Sequence, residues 1–425
     1  MNKIKKTIIF FAVLGLCFFT SMSGTGPGVS ADETKVVLSL WTFTDEIKSV
    51  VDRFEQQHPG IKIEVTLLPY GEYTRRLQPV LKSGEAAPDL FTSEPGSITD
   101  FMATGACEDL SAAPYKADVT DMYPFMVEGA RGADGKLLAL GWQVWTGGFF
   151  YRRSMAKQYL GTDDPAKVGE MLSTESKFIA TGLRLKEKSQ GKIKLIAGWG
   201  DYMRYALAAR KKPFVDNNKH FTLDDAVVRY FAVARVLQEQ KLTAGCGMWS
   251  SEWFEGMKES NIFGYSFPLW GFTYILKTQS ADTSGDWGVC RGPVPYFWGA
   301  TWIGINSNSK QKEAAWEFLR FATLNKDTLE WWAQEKKECV NSKSVMNKLK
   351  DKMSDDFLAG QKYFRYFAEE ALKIKGNLIS AYDIKIEPLL TDAITVYLRD
   401  GGSKKQGVQE FVRKVREAFP KLIME

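Results

Sequence analysis

Apolar and polar positions change period several times within the first sixty residues of the mature-looking chain. Residues 36–41, VVLSLW, form a β-rich apolar run of the kind found in a buried strand. Thr44 and Asp45 then offer a helix cap, and Ile47, Val50, Val51 and Phe54 recur at helical spacing until Pro59-Gly60 stops the pattern. Ile61, Ile63, Val65 and Leu67 alternate with polar residues, which is the period of a strand. A second helix is predicted over about residues 72–83, strained or bent by Pro79. Ala87-Pro88-Asp89-Leu90-Phe91 starts a third strand. Strand, helix, strand, helix, strand predicts a parallel sheet covered on both faces.

The same grammar returns late in the chain. Trp302, Ile303, Gly304 and Ile305 form a short apolar strand that stops at Asn306-Ser307-Asn308-Ser309, residues that favour helix N-caps. The helix that follows carries Ala314, Ala315, Phe318, Leu319 and Ala322 on one face. Between these regions, residues 155–241 are helical in pattern, with Thr222 and Asp225 spaced as a capping box. Helices are also predicted over residues 329–341 and 357–375. Val408, Phe411, Val412, Val415 and Phe419 mark one face of a terminal helix.

At 425 residues the chain exceeds what one hydrophobic core usually supports, so two domains are expected. The formal charge of +5 looks basic, but three of those charges are Lys3, Lys5 and Lys6 in a segment without acids, leaving +2. No basic stripe remains to argue for nucleic acid. Those lysines precede an apolar run at residues 7–20 that is short for a membrane span and has the layout of a signal-peptide core, so residues 1–31 read as a leader and the protein as exported. Val29-Ser30-Ala31 matches ordinary cleavage. Leu14-Gly15-Leu16-Cys17 offers a lipid anchor through Cys17, despite the large Leu16. The other four cysteines, Cys107, Cys246, Cys290 and Cys339, contain no C-x-x-C pair; they are either disulfide partners in one of three pairings or small buried side chains.

Three blocks of sequence resemble one family. The opening reads Trp41, FEQQHPGIKIEV, Tyr70 and Tyr73, then SGEAAPDLF; a later block reads LLALGWQVWTGGFFYRR; and residues 286–323 carry Pro293, Pro295, Gly299-Ala300-Thr301-Trp302 and the helix that follows. In this order they are similar to the extracellular solute-binding proteins that feed sugars to ABC importers, in the large class that includes maltodextrin-binding proteins. Ala300 stands where that family has a second glycine, and Arg152 where it has an asparagine. The resemblance implies an α/β, two-lobed periplasmic-binding-protein fold, each lobe a mainly parallel sheet flanked by helices, with hinge crossovers near residues 140–145, 293–302 and 341–353. It divides the chain into lobe I, residues 36–142 with 296–345, and lobe II, residues 143–295 with 346–425. Its partners would be a carbohydrate ligand and the transmembrane permease subunits of an ABC importer; the protein would be a monomer without cofactor, periplasmic or at the cell surface.

The residues bear on chemistry independently. G-x-S-x-G, G-x-x-x-x-G-K-[ST] and H-E-x-x-H are all absent, and the two histidines sit at a helix stop and ahead of a helix cap. The protein is therefore read as a binding protein and not an enzyme, although two facing carboxylates among its 51 acids would suffice for a glycosidase. A solute-binding protein for a non-sugar ligand is the other alternative. Tryptophan is abundant, 13 residues, several of them beside glycine. A pyranose presents an apolar C–H face that a flat ring matches, and a hydroxyl rim that carboxylates match. Ligands of open α/β sheets bind beyond the carboxyl ends of strands. That rule selects Trp41, Glu94, Trp142, Trp145 and Trp270; with Asp45 as a second rim acid, Tyr70, and Trp298 and Trp302 set around small residues, these nine are the candidate ligand-binding residues, with Trp199, Tyr202, Trp249 and Trp253 behind them.

Overall fold

A computed structural model describes residues 36–259 and 261–424. The leader at residues 1–31, its cleavage pattern and Cys17 lie outside the described residues. Ten strands are described: β1 (Val36–Thr42), β2 (Ile61–Leu67), β3 (Leu90–Ser93), β4 (Leu140–Gly141), β5 (Gly147–Arg152), β6 (His220–Phe221), β7 (Gly264–Pro268), β8 (Trp287–Cys290), β9 (Trp302–Ile305) and β10 (Ile423–Met424). The first sheet has the order β2-β1-β3-β9-β4 and the second β7-β5-β8, while β6 and β10 pair by themselves. Helices pack around each sheet, giving a two-lobed α/β architecture.

The opening pattern folds as its periods predict. β1 pairs in parallel with β2, from Val36 opposite Ile61 to Thr42 opposite Leu67, and in parallel with β3 on its other side. The helix Ile47–Gln57 buries Ile47, Val50, Val51 and Phe54. The Asp89 carboxylate accepts from the Ser39 N–H (2.8 Å), the Ser39 hydroxyl (2.8 Å) and the Ser309 hydroxyl (2.6 Å), so the Pro88-Asp89 turn ties β1 and β3 to the segment after β9.

Each sheet contains one reversed strand. β9 lies antiparallel between β3 and β4. β5 lies antiparallel between β7 and β8. The parallel expectation thus holds within β2-β1-β3, whereas the second sheet is antiparallel at its centre and gains only isolated parallel bridges, Lys194 with Ile262 and Ile196 with Thr243. The physical reason is the route of the chain. It enters the second sheet directly through residues 142–146, with no helix to turn it round, and returns to the first sheet in the same manner between Cys290 and Trp302.

The passes between sheets lie side by side. The Asn341 N–H donates to the Trp142 carbonyl (2.9 Å) and the Val144 N–H to the Cys339 carbonyl (3.0 Å). On the opposite edge the Gly147 N–H donates to the Tyr296 carbonyl (2.7 Å) and the Trp298 N–H to the Trp145 carbonyl (3.1 Å). Residues 142–147 are therefore the middle of a three-segment ribbon. The Asn341 side chain fastens it further, donating to the Gly141 carbonyl (3.0 Å) and accepting from the Tyr123 N–H (3.0 Å).

Several boundaries differ from the sequence expectation. The helix Asp225–Glu239 is capped by Asp224, whose carboxylate accepts from the Ala226 N–H (2.8 Å), rather than by the Thr222–Asp225 box. The helix Lys326–Lys336 begins at the Asn325 cap and ends at Lys337, in the left-handed region at φ 57°, because residues 338–341 are drawn into the ribbon. The helix Tyr363–Ala371 is shorter than residues 357–375. Arg152 replaces the family's asparagine with a buried ion pair, Nε to Asp286 Oδ2 at 2.7 Å. Cys107, Cys246, Cys290 and Cys339 are all free thiols, the last two buried.

Trp302 and Trp142, both named as ligand-binding candidates, are core residues. Trp302 is fully buried in β9 and its indole N–H donates to the Met126 carbonyl (2.9 Å). Trp142 is 1% exposed and meets Trp332 edge-on at 6.3 Å. Both lie on the packed side of the ribbon. Replacing Trp302 by alanine empties this space and leaves the Met126 carbonyl unpaired; a loss of about 3–5 kcal/mol is expected in urea unfolding.

Candidate functional site

A cavity of about 640 Å³ opens between the two sheets. Three of its walls come from the carboxyl ends of parallel strands: Phe43, Thr44 and Glu46 follow β1, Tyr70 follows β2, and Glu94, Pro95 and Gly96 follow β3. The opposite wall comes from the second lobe. The helix Met203–Ala208 supplies Arg204, Leu207 and Ala208, the turns after β7 supply Trp270 and Tyr274, and the helix Asp383–Asp400 supplies Asp383, Ile384 and Glu387. The returning crossover at residues 295–301, with Trp145 on its neighbour, forms the back.

Aromatic rings dominate the back wall. The Trp270 indole N–H donates to the Trp298 carbonyl (2.6 Å), and the two rings stand at 73° with centroids 5.5 Å apart. Gly299, at φ 91°, lets the chain turn tightly beneath them; a Cβ there would come within 3.0 Å of Trp270 Nε1 and 3.4 Å of Trp145. Trp249 lies nearly parallel to Trp270, at 10° and 6.4 Å, and holds a backbone φ of 72° that bulky residues rarely adopt. It extends the tryptophan cluster beyond the residues that line the cavity.

The charged groups are largely paired with one another. Arg204 bonds Glu387 (2.9 Å) and lies 4.3 Å above the Trp298 ring, so one guanidinium holds a carboxylate and backs an indole. Arg210 meets Asp383 at 3.5 Å and donates from Nε to the Leu207 carbonyl at 2.9 Å. Glu94 has no cationic partner among the described ion pairs. Burial raises its carboxyl above the usual range, the Gly96 N–H pulls the other way, and the charge of Glu387 adds to the rise. Tyr70 is 61% exposed, yet removal of water around its hydroxyl, with the nearby Glu94 charge, pushes the phenol up to about 12. Glu94 is thus a half-buried acceptor at a space walled by aromatic rings.

Five of the nine candidates meet here: Tyr70, Glu94, Trp145, Trp270 and Trp298. Trp142 and Trp302 do not, as described above. Trp41 does not line the cavity either, because the alternation of β1 turns it onto the cluster formed by Leu68, Tyr73 and Leu77 beneath the helix Tyr70–Ser83. Asp45 is exposed, while its neighbours Thr44 and Glu46 line the space. Phe43, two residues beyond Trp41, takes the place predicted for it. Arg204, Arg210, Asp383 and Glu387 were missed; the Arg204–Glu387 contact spans 183 residues, and no local pattern announces such a pair.

Comparison with known proteins decides the family. Residues 49–355 match the model of the bacterial extracellular solute-binding proteins. The chain belongs to that family. Its members bind solutes outside the cytoplasm and are not enzymes. The fold is also that of solved structures at low identity. A crystal structure of an extracellular solute-binding protein of family 1 superposes with a TM-score of 0.81 at 17% identity, covering 90% of this chain and 99% of that one. The sugar-binding protein MalE from Xanthomonas citri gives 0.75 at 17% identity, over 91% and 98% of the two chains. An ABC transporter-associated binding protein from B. animalis subsp. lactis Bl-04, solved with beta-1,6-galactobiose, gives 0.68 at 18% identity over 92% and 100%. Among the described residues no group of three or more acidic, histidine or cysteine side chains could hold a metal ion, and no helix is long and apolar enough to cross a membrane.

Two consequences can be checked without a ligand. Gly299→Ala places a methyl group against Trp270 at a positive φ, so loss of stability and a changed tryptophan fluorescence are expected together. Asp201, fully buried behind Trp253, accepts from the Gly198 N–H (2.8 Å) and the Trp253 indole N–H (3.0 Å), and burial pushes it up to about 6. A raised carboxyl favours the native state at low pH, so this stability is present below about pH 4 and lost as pH rises through about 6. Melting midpoints across that window are expected to fall in the wild type and to flatten in Asp201→Asn.

Proposed function

We propose that this solute-binding protein is the carbohydrate receptor of an ABC importer. It captures a sugar or oligosaccharide in the cavity between its lobes and presents the closed form to membrane permease subunits. The observation that carries the reading is the composition of one cavity. A half-buried acceptor, Glu94, shares the cavity with three indoles, Trp145, Trp270 and Trp298, which suits a ligand with an apolar face and a hydroxyl rim. Structures with the same fold, one named as sugar-binding and one solved with a disaccharide, support the same class. The ribbon at residues 142–147 acts as the hinge, with residues 36–142 and 296–345 forming one lobe and residues 143–295 and 346–425 the other. The working location is periplasmic or at the cell surface, with anchoring through Cys17 open to direct test, and the working form is a monomer.

The Arg204–Glu387 pair has a role in this reading: it neutralises Glu387, so that Glu94 is the free acceptor for a hydroxyl. A thermal-shift screen against mono- and oligosaccharides tests the function. A ligand at about 100 times its dissociation constant stabilises the native state by roughly 2.7 kcal/mol, a shift of a few degrees for a domain of this size. The ligand should be recovered intact. Against the sugar so identified, Glu94→Gln and Trp298→Ala should each weaken binding by about 1–3 kcal/mol in calorimetric titration, with the fold retained. Cleavage of the sugar would instead make the protein a carbohydrate-active enzyme, and no shift across the panel would point to a non-sugar solute.

A further inference from the structure

At one end of the cavity four side chains close a ring across the lobes. Glu46 begins the helix after β1, Gln143 lies in the ribbon and Glu338 just before its third segment, while Tyr274 comes from the helical turn after β7. The Tyr274 hydroxyl is 2.7 Å from Glu46 Oε1 and 2.8 Å from Glu338 Oε1. Gln143 Nε2 is 2.8 Å from Glu46 Oε2 and 3.0 Å from Glu338 Oε2, and the Trp332 indole N–H also donates to Glu338 Oε2 (3.0 Å). Glu338 is 1% exposed.

Counting hydrogens exposes a shortfall. The amide of Gln143 has two N–H bonds and serves both carboxyl groups. The Tyr274 hydroxyl has one O–H and two lone pairs, so it can donate to only one of the two oxygens it touches. The other contact is bonding only if that carboxyl is itself protonated and donates to the phenol oxygen. With both acids ionised, a lone pair would face an anion across 2.8 Å at a partly buried contact.

We propose that the ring is a proton-operated latch: a proton held by the Glu46–Glu338 pair keeps Tyr274 bonded across the lobes, and its loss releases the closed form. The coupling to transport rests on the proposed ligand cavity, which Glu46 and Tyr274 both line. The surroundings favour proton retention. Burial first, and then the charge of Glu46, push Glu338 up to about 7, against the hydrogen bonds from Tyr274, Gln143 and Trp332. Cys339 and Tyr363 also face Glu338, and both thiol and phenol are raised, so neither supplies a compensating charge. Lys336 lies 5.8 Å from the centre of the Trp332 ring, and Lys277, on the Tyr274 side, is paired with Asp355 at 2.8 Å. Among the described ion pairs none involves Glu46 or Glu338. Because the acid is raised in the closed form, that form is favoured below about pH 7 and loses its advantage as pH rises through that value.

The test uses the ligand-free protein. Infrared spectra should show a protonated-carboxyl band at about pH 5.5 that shrinks as pH passes about 7 in the wild type and is smaller in Glu338→Gln, where Asp201 still contributes. Small-angle scattering over the same range should show the radius of gyration of the wild type rising, that of Glu338→Gln staying at the compact value, since its amide supplies the missing donor, and that of Tyr274→Phe staying expanded throughout. Tyr274 is 51% exposed, so its phenylalanine variant should fold and keeps the test usable if the glutamine variant does not. A wild-type radius that does not change with pH, or an equal carboxyl band in Glu338→Gln, would overturn the latch. Neither readout involves a sugar, so an empty sugar screen would defeat the proposed function and leave this result standing.

Discussion

The structure depends on a chain that never completes one sheet before beginning the other. Residues 142–147 leave the first sheet flanked on one edge by residues 339–341 and on the other by residues 296–298, each bonded to them through the backbone. Every later feature follows from that ribbon. Because β5 and β9 arrive through it without a helical return, each enters its sheet reversed, and each lobe is sewn from separated stretches of sequence. In the proposed hinge, bending this narrow ribbon moves one lobe against the other while leaving both sheets intact. Because it runs past the carboxyl ends of β1, β2 and β3, the space beside it is where an α/β fold places ligands.

Two sets of interactions meet in that space. Aromatic rings on the crossover and on the turns after β7 provide apolar walls, and acid–base pairs such as Arg204–Glu387 hold the walls in shape while cancelling most of the charge. Glu94 remains as an acid without a cationic partner among the described pairs, and the Glu46–Glu338 ring sits where the lobes touch. The site therefore combines a neutral, ring-lined surface with one strong acceptor. That combination suits the uncharged polyhydroxylated ligand proposed above better than an anionic one.

Much of this was legible in the sequence. Strands and helices with a single period, such as β1, the helix Ile47–Gln57 and the helix Lys312–Thr323, form where their patterns place them, because one face of each is buried. The Pro88-Asp89 turn and the Gly299 turn were visible as motifs because each imposes a local requirement, three hydrogen bonds on a carboxylate in one case and a positive φ in the other. What failed was the use of tryptophan as a marker by itself. Trp298 and Trp302 are four residues apart and equally apolar, yet the first lies at the cavity and the second fills the core, and the strand boundary between them decides which. The reversed strands and the pairs Arg204–Glu387 and Tyr274–Glu338 were illegible, since they join segments that only the folded crossovers bring together.

The central claim is that the two lobes close on a ligand around the ribbon. It is tested most directly by the distance between one spin label on the helix Ile47–Gln57 and another on the helix Asp225–Glu239, measured with and without the stabilising sugar. The account predicts that bound sugar narrows the distribution and shortens the mean. An unchanged distribution at saturating sugar would contradict it.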